Sequence, residues 1–141
     1  MEILNEMKVE FLSRSANESF ARIVVSAFVS QLDPTIAEIT DIKTAVSEAV
    51  TNSIIHGYKN TVGIIEMVVR IFSDRIVEIT ITDKGRGIED VEKARQPLYS
   101  TGNSDERSGM GFTVMETFMD EVHINSKIGE GTQIVLKRCL S

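Results

Sequence analysis

Between residues 65 and 81 the apolar side chains fall on every second position: Ile65, Met67, Val69 and Ile71, then Val77, Ile79 and Ile81. Ser73-Asp74 separates the two runs and reads as a tight turn. A period of two buries one face of a strand and leaves the other to solvent. The pair is therefore predicted to be a hairpin with one covered face, and the rest of the chain must supply the cover. Two helices are predicted ahead of it. Ser15-Ala16-Asn17-Glu18 has capping-box spacing and opens a helix to about residue 32, with Phe20, Ile23, Val24, Ala27 and Phe28 on one face. Asp33-Pro34 reads as a second start, an N-cap followed by proline at the first helical position. That helix runs to about His56, faces the core with Ile39, Ile42, Val46, Ala49 and Val50, and stops at Gly57.

A first strand is predicted over residues 7–12, where Met7, Val9 and Phe11 alternate with Lys8 and Glu10. After the hairpin come a mostly irregular stretch to Gly111 with one helical turn near residues 90–94, a helix carrying Phe112, Met115 and Phe118, and strands near 122–126 and 132–138. The order β-α-α-β-β-loop-α-β-β lacks the regular alternation of a Rossmann or P-loop fold. It predicts an α+β protein: a two-layer α/β sandwich with a mixed, mostly antiparallel sheet and helices packed on one face. With 141 residues the chain has room for one domain, expected over 1–141.

The net charge of -6, without a basic block, argues against non-specific binding to nucleic acid or to an anionic membrane. One cysteine, Cys139, excludes an internal disulfide and a multi-cysteine zinc site. No apolar run reaches the roughly 18 residues of a membrane span, and residues 1–6 lack the features of a secretory signal. A cytoplasmic protein is expected.

Four features could carry chemistry. Asp83 has the parity of Val77, Ile79 and Ile81, which puts a carboxylate on the buried face, where it needs a hydrogen-bonding partner. Gly85 and Gly87 follow it, giving D-x-G-x-G. Glu48, Asn52 and His56 are spaced i, i+4, i+8 and form a polar stripe on the second helix, suited to a general base and an oxygen ligand for a metal. Arg107-Ser108-Gly109-Met110-Gly111 opens a later helix, where free N–H groups favour anions. Thr132, after Gly131, shares the buried parity of Ile134 and Leu136. Taken alone, each has an ordinary explanation: a turn after a strand, a solvated helix face, a glycine loop, a β-forming threonine.

Taken together and in this order, they resemble the ATP-binding set of the gyrase, histidine-kinase and MutL (GHKL) superfamily, and most closely its anti-sigma-factor serine kinases of sporulation. The strings NESFAR, QLDPT, SEAVTN, IIHGY, ARQPL, ERSGMGF and FMDEV carry the resemblance over nearly the whole chain. It implies ATP or ADP and Mg²⁺ as ligands. Asp83 would take the exocyclic amine of adenine, with Gly85, Gly87 and Thr132 around the base. Asn52 would hold Mg²⁺, and Glu48 would be the general base. Ser108, Gly109, Met110 and Gly111 would offer N–H groups to phosphates, under a lid over residues 89–108 that contains Thr101 and Arg107. The lid departs from the family pattern: Ser100-Thr101-Gly102-Asn103-Ser104 lacks the usual lysine and proline, and Arg107 is expected to supply the charge. The resemblance also implies a homodimer, a sigma factor as partner, and a serine of a small anti-anti-sigma protein (a STAS domain) as phosphorylation substrate. Arg22 on the first helix is the candidate partner contact. The alternatives are a nucleotide-gated sigma-binding module without catalysis and a detached histidine-kinase catalytic domain.

Overall fold

The computed structural model describes residues 2–95 and 111–141. Its elements follow the predicted order. Strand β1 spans Ile3–Leu12, helix α1 Ala16–Val29 and helix α2 Ile36–Asn52. Strands β2 (Ile64–Phe72) and β3 (Ile76–Asp83) form the hairpin. A short helix α3 (Val91–Ala94), helix α4 (Gly111–Phe118) and strands β4 (Glu121–Lys127) and β5 (Gly131–Cys139) complete the set. The sheet order is β1-β2-β3-β5-β4. Every pairing is antiparallel, so the expected mixed sheet is corrected to a wholly antiparallel one. The reason is connectivity: no parallel neighbours arise when consecutive strands turn back as hairpins and β5 inserts between β3 and β4.

The alternation sets which face is covered. Ile65, Met67, Val69, Val77, Ile79, Ile81 and Leu136 are fully buried, and α2 meets them with Ile42, Ala45, Val46, Ala49 and Val50, also fully buried. Burying each aliphatic side chain of this kind stabilises the fold by roughly 1.5–3 kcal/mol. Helix α2 is the central layer, packed against both α1 and α4. The opposite face of the sheet carries a charge ladder in strand order: Glu6, Arg70, Glu78, Lys137 and Glu121 are cross-strand neighbours with alternating sign.

Three local expectations are corrected. Asp33 does not cap α2; it takes a left-handed conformation (φ 54) and ends a 3-10 turn over Ser30–Leu32. The cap is Thr35, whose hydroxyl accepts from the Glu38 N–H at 3.1 Å while Glu38 accepts from the Thr35 N–H at 2.9 Å. Conversely, the box expected at Ser15 does not form: Ser15 makes no side-chain cap, because its backbone is already helical (φ -58, ψ -32) where a capping residue is extended, and the Glu18 carboxylate pairs with Arg22 at 2.6 Å. The buried face of α1 is Ala21, Val25 and Val29; Phe20, Ile23 and Ala27 are exposed.

Candidate functional site

Helix α2 keeps α geometry only to Asn52. Ser53–Gly57 then forms one π turn, closed by the Tyr58 N–H donating to the Ser53 carbonyl at 2.9 Å. This corrects the α-helix expected to reach His56. Such wide turns recur at functional sites because they re-aim side chains. Here the turn directs Ser53, 1% exposed, at the end of β3, where its hydroxyl donates to Asp83 Oδ2 at 2.8 Å.

Asp83 is the last residue of β3 and is 1% exposed, as its parity required. Burial pushes its pKa up, and hydrogen bonds from the Gly85 N–H, the Ser53 hydroxyl and the Thr132 N–H pull it back down. The Gly85 N–H donates to Oδ1 at 2.9 Å. The surroundings leave room only for glycine. A Cβ on Gly57 would stand 2.9 Å from the Asp83 carboxylate atoms, and one on Gly85 would stand 2.0 Å from the Gly57 carbonyl oxygen. The turn of α2 and the loop after β3 thus touch backbone to backbone, joined by the Arg86 N–H donating to the Gly57 carbonyl at 2.9 Å. Gly57 is therefore a close-approach residue, a role beyond the helix stop read from sequence. Gly87, with φ 78, is held against the Lys127 carbonyl.

Thr132 lies opposite Asp83 on β5 and is 4% exposed. Its hydroxyl is 2.8 Å from the Ser126 hydroxyl, which accepts from the Ile88 N–H at 2.7 Å. Sequence reasoning missed Ser53, Gly57 and Ser126 as site residues. No local signal marks Ser53 or Ser126, since their partners lie 30 and 38 residues away.

At the other end of the polar stripe, Glu48 and Asn52 are half-buried, which replaces the reading of a freely solvated face. A Cβ on Gly111 would come within 3.3 Å of Glu48 Oε2, so the first described residue of α4 faces this carboxylate. Thr101, Arg107, Ser108, Gly109 and Met110, with most of the expected lid, lie outside the described residues. Arg22 stands apart on α1, ion-paired to Glu18 and bonded to the Ser19 hydroxyl at 3.1 Å.

The donor set fits an adenine nucleotide: a buried carboxylate acceptor sits in a glycine-lined gap, with the amide of Asn52 just before the π turn and the Glu48 carboxylate one turn further back along α2. Among the described residues no cluster of three or more His, Cys, Asp or Glu could hold a metal ion by itself. No helix among the described residues is long and apolar enough to cross a membrane.

Comparison with known proteins agrees with this geometry. Residues 11–138 match the histidine kinase-like ATPase domain family. An anti-sigma F factor of Thermoanaerobacter sp. (strain X514) is 60% identical over 95% of this chain and 93% of its own length. One of Geobacillus kaustophilus is 57% identical over 95% and 92%. Among solved structures, the RsbU and RsbW domains of a Mycobacterium tuberculosis protein match with a TM-score of 0.70 at 20% identity, covering 96% of this chain and 32% of that longer one. A histidine kinase domain from Erythrobacter litoralis matches with a TM-score of 0.58 at 17% identity, covering 87% of this chain and 60% of that one. These structures share the fold; the sequence relatives carry the assignment. An ATPase domain of this kind binds ATP or ADP, and the chain belongs to the anti-sigma F factor family within the histidine kinase-like ATPases.

Proposed function

We propose that the chain is an anti-sigma factor and an ATP-dependent serine kinase: it binds a sporulation sigma factor and phosphorylates a serine of an anti-anti-sigma protein, which controls sigma release. The observation that carries the reading is the placement of Glu48 against the start of α4, on the same helix whose end supports Asp83. The general base and the serine that supports the base-reading carboxylate thereby lie on one helix and its terminal π turn. In the reaction, the serine hydroxyl oxygen bonds to the γ-phosphorus, the bond to the β–γ bridging oxygen breaks, and ADP leaves. Glu48 accepts the hydroxyl proton. Such transfer depends on positioning and charge stabilisation more than on covalent chemistry. Asn52 is the side chain that would hold Mg²⁺, which would neutralise phosphate charge that a chain of net charge -6 does not neutralise by itself.

The domain is read as 1–141 with a lid over 89–108, in the cytoplasm, and as a homodimer. Edge strand β1 is ten residues long. On β1 and α1 the side chains of Ile3, Leu4, Leu12, Phe20 and Ile23 are exposed, and exposed apolar groups at a sheet edge with unpaired backbone favour a second protein surface. Arg22 lies on the same helix and remains the candidate partner contact.

The test is γ-phosphate transfer from labelled ATP with Mg²⁺ to the anti-anti-sigma protein from the same source. Acid-stable label on a partner serine, lost in Glu48→Ala, is expected. Acid-labile label would indicate a histidine kinase. ATP binding without transfer would leave a nucleotide-gated binding module.

A further inference from the structure

One buried polar side chain has no role in the nucleotide reading. Ser53 is 1% exposed, follows Asn52 directly, and donates its hydroxyl proton to Asp83 Oδ2 at 2.8 Å. We propose that Ser53 is a positioning residue that sets base specificity: by holding one oxygen of Asp83 it keeps the carboxylate an oriented, acceptor-only surface that selects a 6-amino purine over a 6-oxo purine. The inference rests on Asp83 being the base-binding carboxylate.

The argument is one of donors and acceptors. An ionised carboxylate offers about four lone-pair directions and no proton. The Gly85 N–H occupies one on Oδ1 and Ser53 one on Oδ2. What is left can receive a further donor, and the exocyclic amine of adenine is a donor. A 6-oxo purine presents an oxygen instead, and two acceptors then face each other with no proton between them in a desolvated gap. Burial favours a proton on Asp83, and a protonated carboxyl would be a donor that welcomes the 6-oxo group. The hydroxyl of Ser53 opposes that proton, because its bond is strongest to the anion.

Ser53 is itself locked. Its carbonyl accepts from the Tyr58 N–H at 2.9 Å, so the π turn anchors the residue at both main chain and side chain. The same turn ends at Gly57, whose missing Cβ leaves the carboxylate its space. Two residues of one five-residue turn therefore serve a single carboxylate on another element, 30 positions from Ser53.

The experiment measures ADP and inosine diphosphate affinities by calorimetry for the wild type, Ser53→Ala and Ser53→Cys. Melting temperature without nucleotide tracks folding. Ser53→Ala is expected to weaken ADP about tenfold, the scale of a hydrogen bond to a charged group, with no loss for inosine diphosphate. Ser53→Cys, nearly the same shape with a weaker donor, should recover part of the preference. A merely structural role would weaken both nucleotides together and leave their ratio unchanged, which overturns the inference alone. A wild type that binds neither nucleotide overturns the nucleotide reading itself.

Discussion

At the end of the site that holds Asp83, each group is buried and tied: Asp83 and Ser53 are each 1% exposed, Thr132 is 4% exposed, and glycine backbone fills the gaps between them. At the end that holds Glu48 and Asn52, the side chains are half-buried, and Glu48 faces the start of α4. The contrast follows from what each end has to do. A base is read by donor and acceptor positions, and an acceptor discriminates best when it is desolvated and unable to turn away. A phosphate chain and an incoming hydroxyl must enter and leave, so the groups that serve them stay accessible. The first end bears the cost of burying a carboxylate, which its three hydrogen-bond donors offset. The second end has no such cost.

The strongest way to break this contrast is Gly57→Ala. The added Cβ would stand 2.9 Å from the Asp83 carboxylate, and neither backbone nor buried carboxylate can give way without losing its hydrogen bonds. ADP affinity is expected to fall by about 100-fold, roughly 2.7 kcal/mol, in a calorimetric titration. Phosphoryl transfer at saturating ATP should be far less affected, since Glu48 is two turns away. Wild-type ADP affinity in this variant would mean that the rigid end is not rigid.

A pH series sharpens the same point. The pKa of Asp83 is raised by burial and partly restored by its three donors. ADP binding uses the ionised form. As pH falls through the raised pKa the carboxylate takes up a proton, and affinity should decline, approaching tenfold per pH unit below it. The nucleotide-free fold responds in the opposite sense. The neutral carboxyl is the form that burial tolerates, so this group's contribution to stability is largest at low pH. It declines as pH rises from the ordinary aspartate value to the raised one, and is constant above. ADP affinity that stays flat down to the ordinary aspartate pKa of about 3.9 would show that base binding does not depend on this proton.

Much of the rigid end was legible in the sequence because strand parity is local. Asp83 and Thr132 follow buried neighbours two residues apart, and both are buried as their parity required. Gly57 and Ser53 were not legible, because their purpose lies in the clearance and hydrogen bonding of a residue on another element. Helix starts misled for a different reason. Two sequences here fit the capping-box pattern, Ser15…Glu18 and Thr35…Glu38. Which one closes depends on the backbone at the cap, extended at Thr35 (φ -69, ψ 163) and already helical at Ser15 (φ -58, ψ -32). Arg22 takes Glu18, whereas Glu38 Oε2 also accepts from the Ser141 N–H at 2.7 Å while Oε1 completes the box. That second donor holds the Glu38 pKa down at about 2, the Ser141 N–H being the largest cause and the Thr35 N–H the next.

The half-buried end is probed by Gly111→Ala. Its Cβ would approach Glu48 Oε2 at 3.3 Å, close enough to shift a carboxylate. Transfer to the anti-anti-sigma serine should slow about threefold to tenfold, on the scale of a small misplacement of a catalytic group, with a smaller loss of ADP affinity, since alanine keeps the N–H that residue 111 would offer a phosphate. Equal losses in both assays would mean that the two ends are mechanically one.

The smallest effect belongs to the far face of the sheet, which serves as the control for both ends. Glu78 sits in the middle of the charge ladder, 3.6 Å from Arg70 and 3.8 Å from Lys137. Its side chain is 15% exposed, while those of Arg70 and Lys137 are 41% and 37% exposed. Solvent reaches both cations, so the pairs are screened, and Glu78→Gln should cost about 1 kcal/mol or less in denaturant unfolding. The cost should shrink further as salt is raised, because the Debye length falls to about 3 Å at 1 M. ADP affinity should not move, because Glu78 alternates with Val77 and Ile79 and points away from the site. A change in ADP affinity from this variant would mean that the sheet transmits charge on its open face to the base-reading end. Rigidity at Asp83 would then belong to the whole sheet, and the local donors described above would not be enough to explain it.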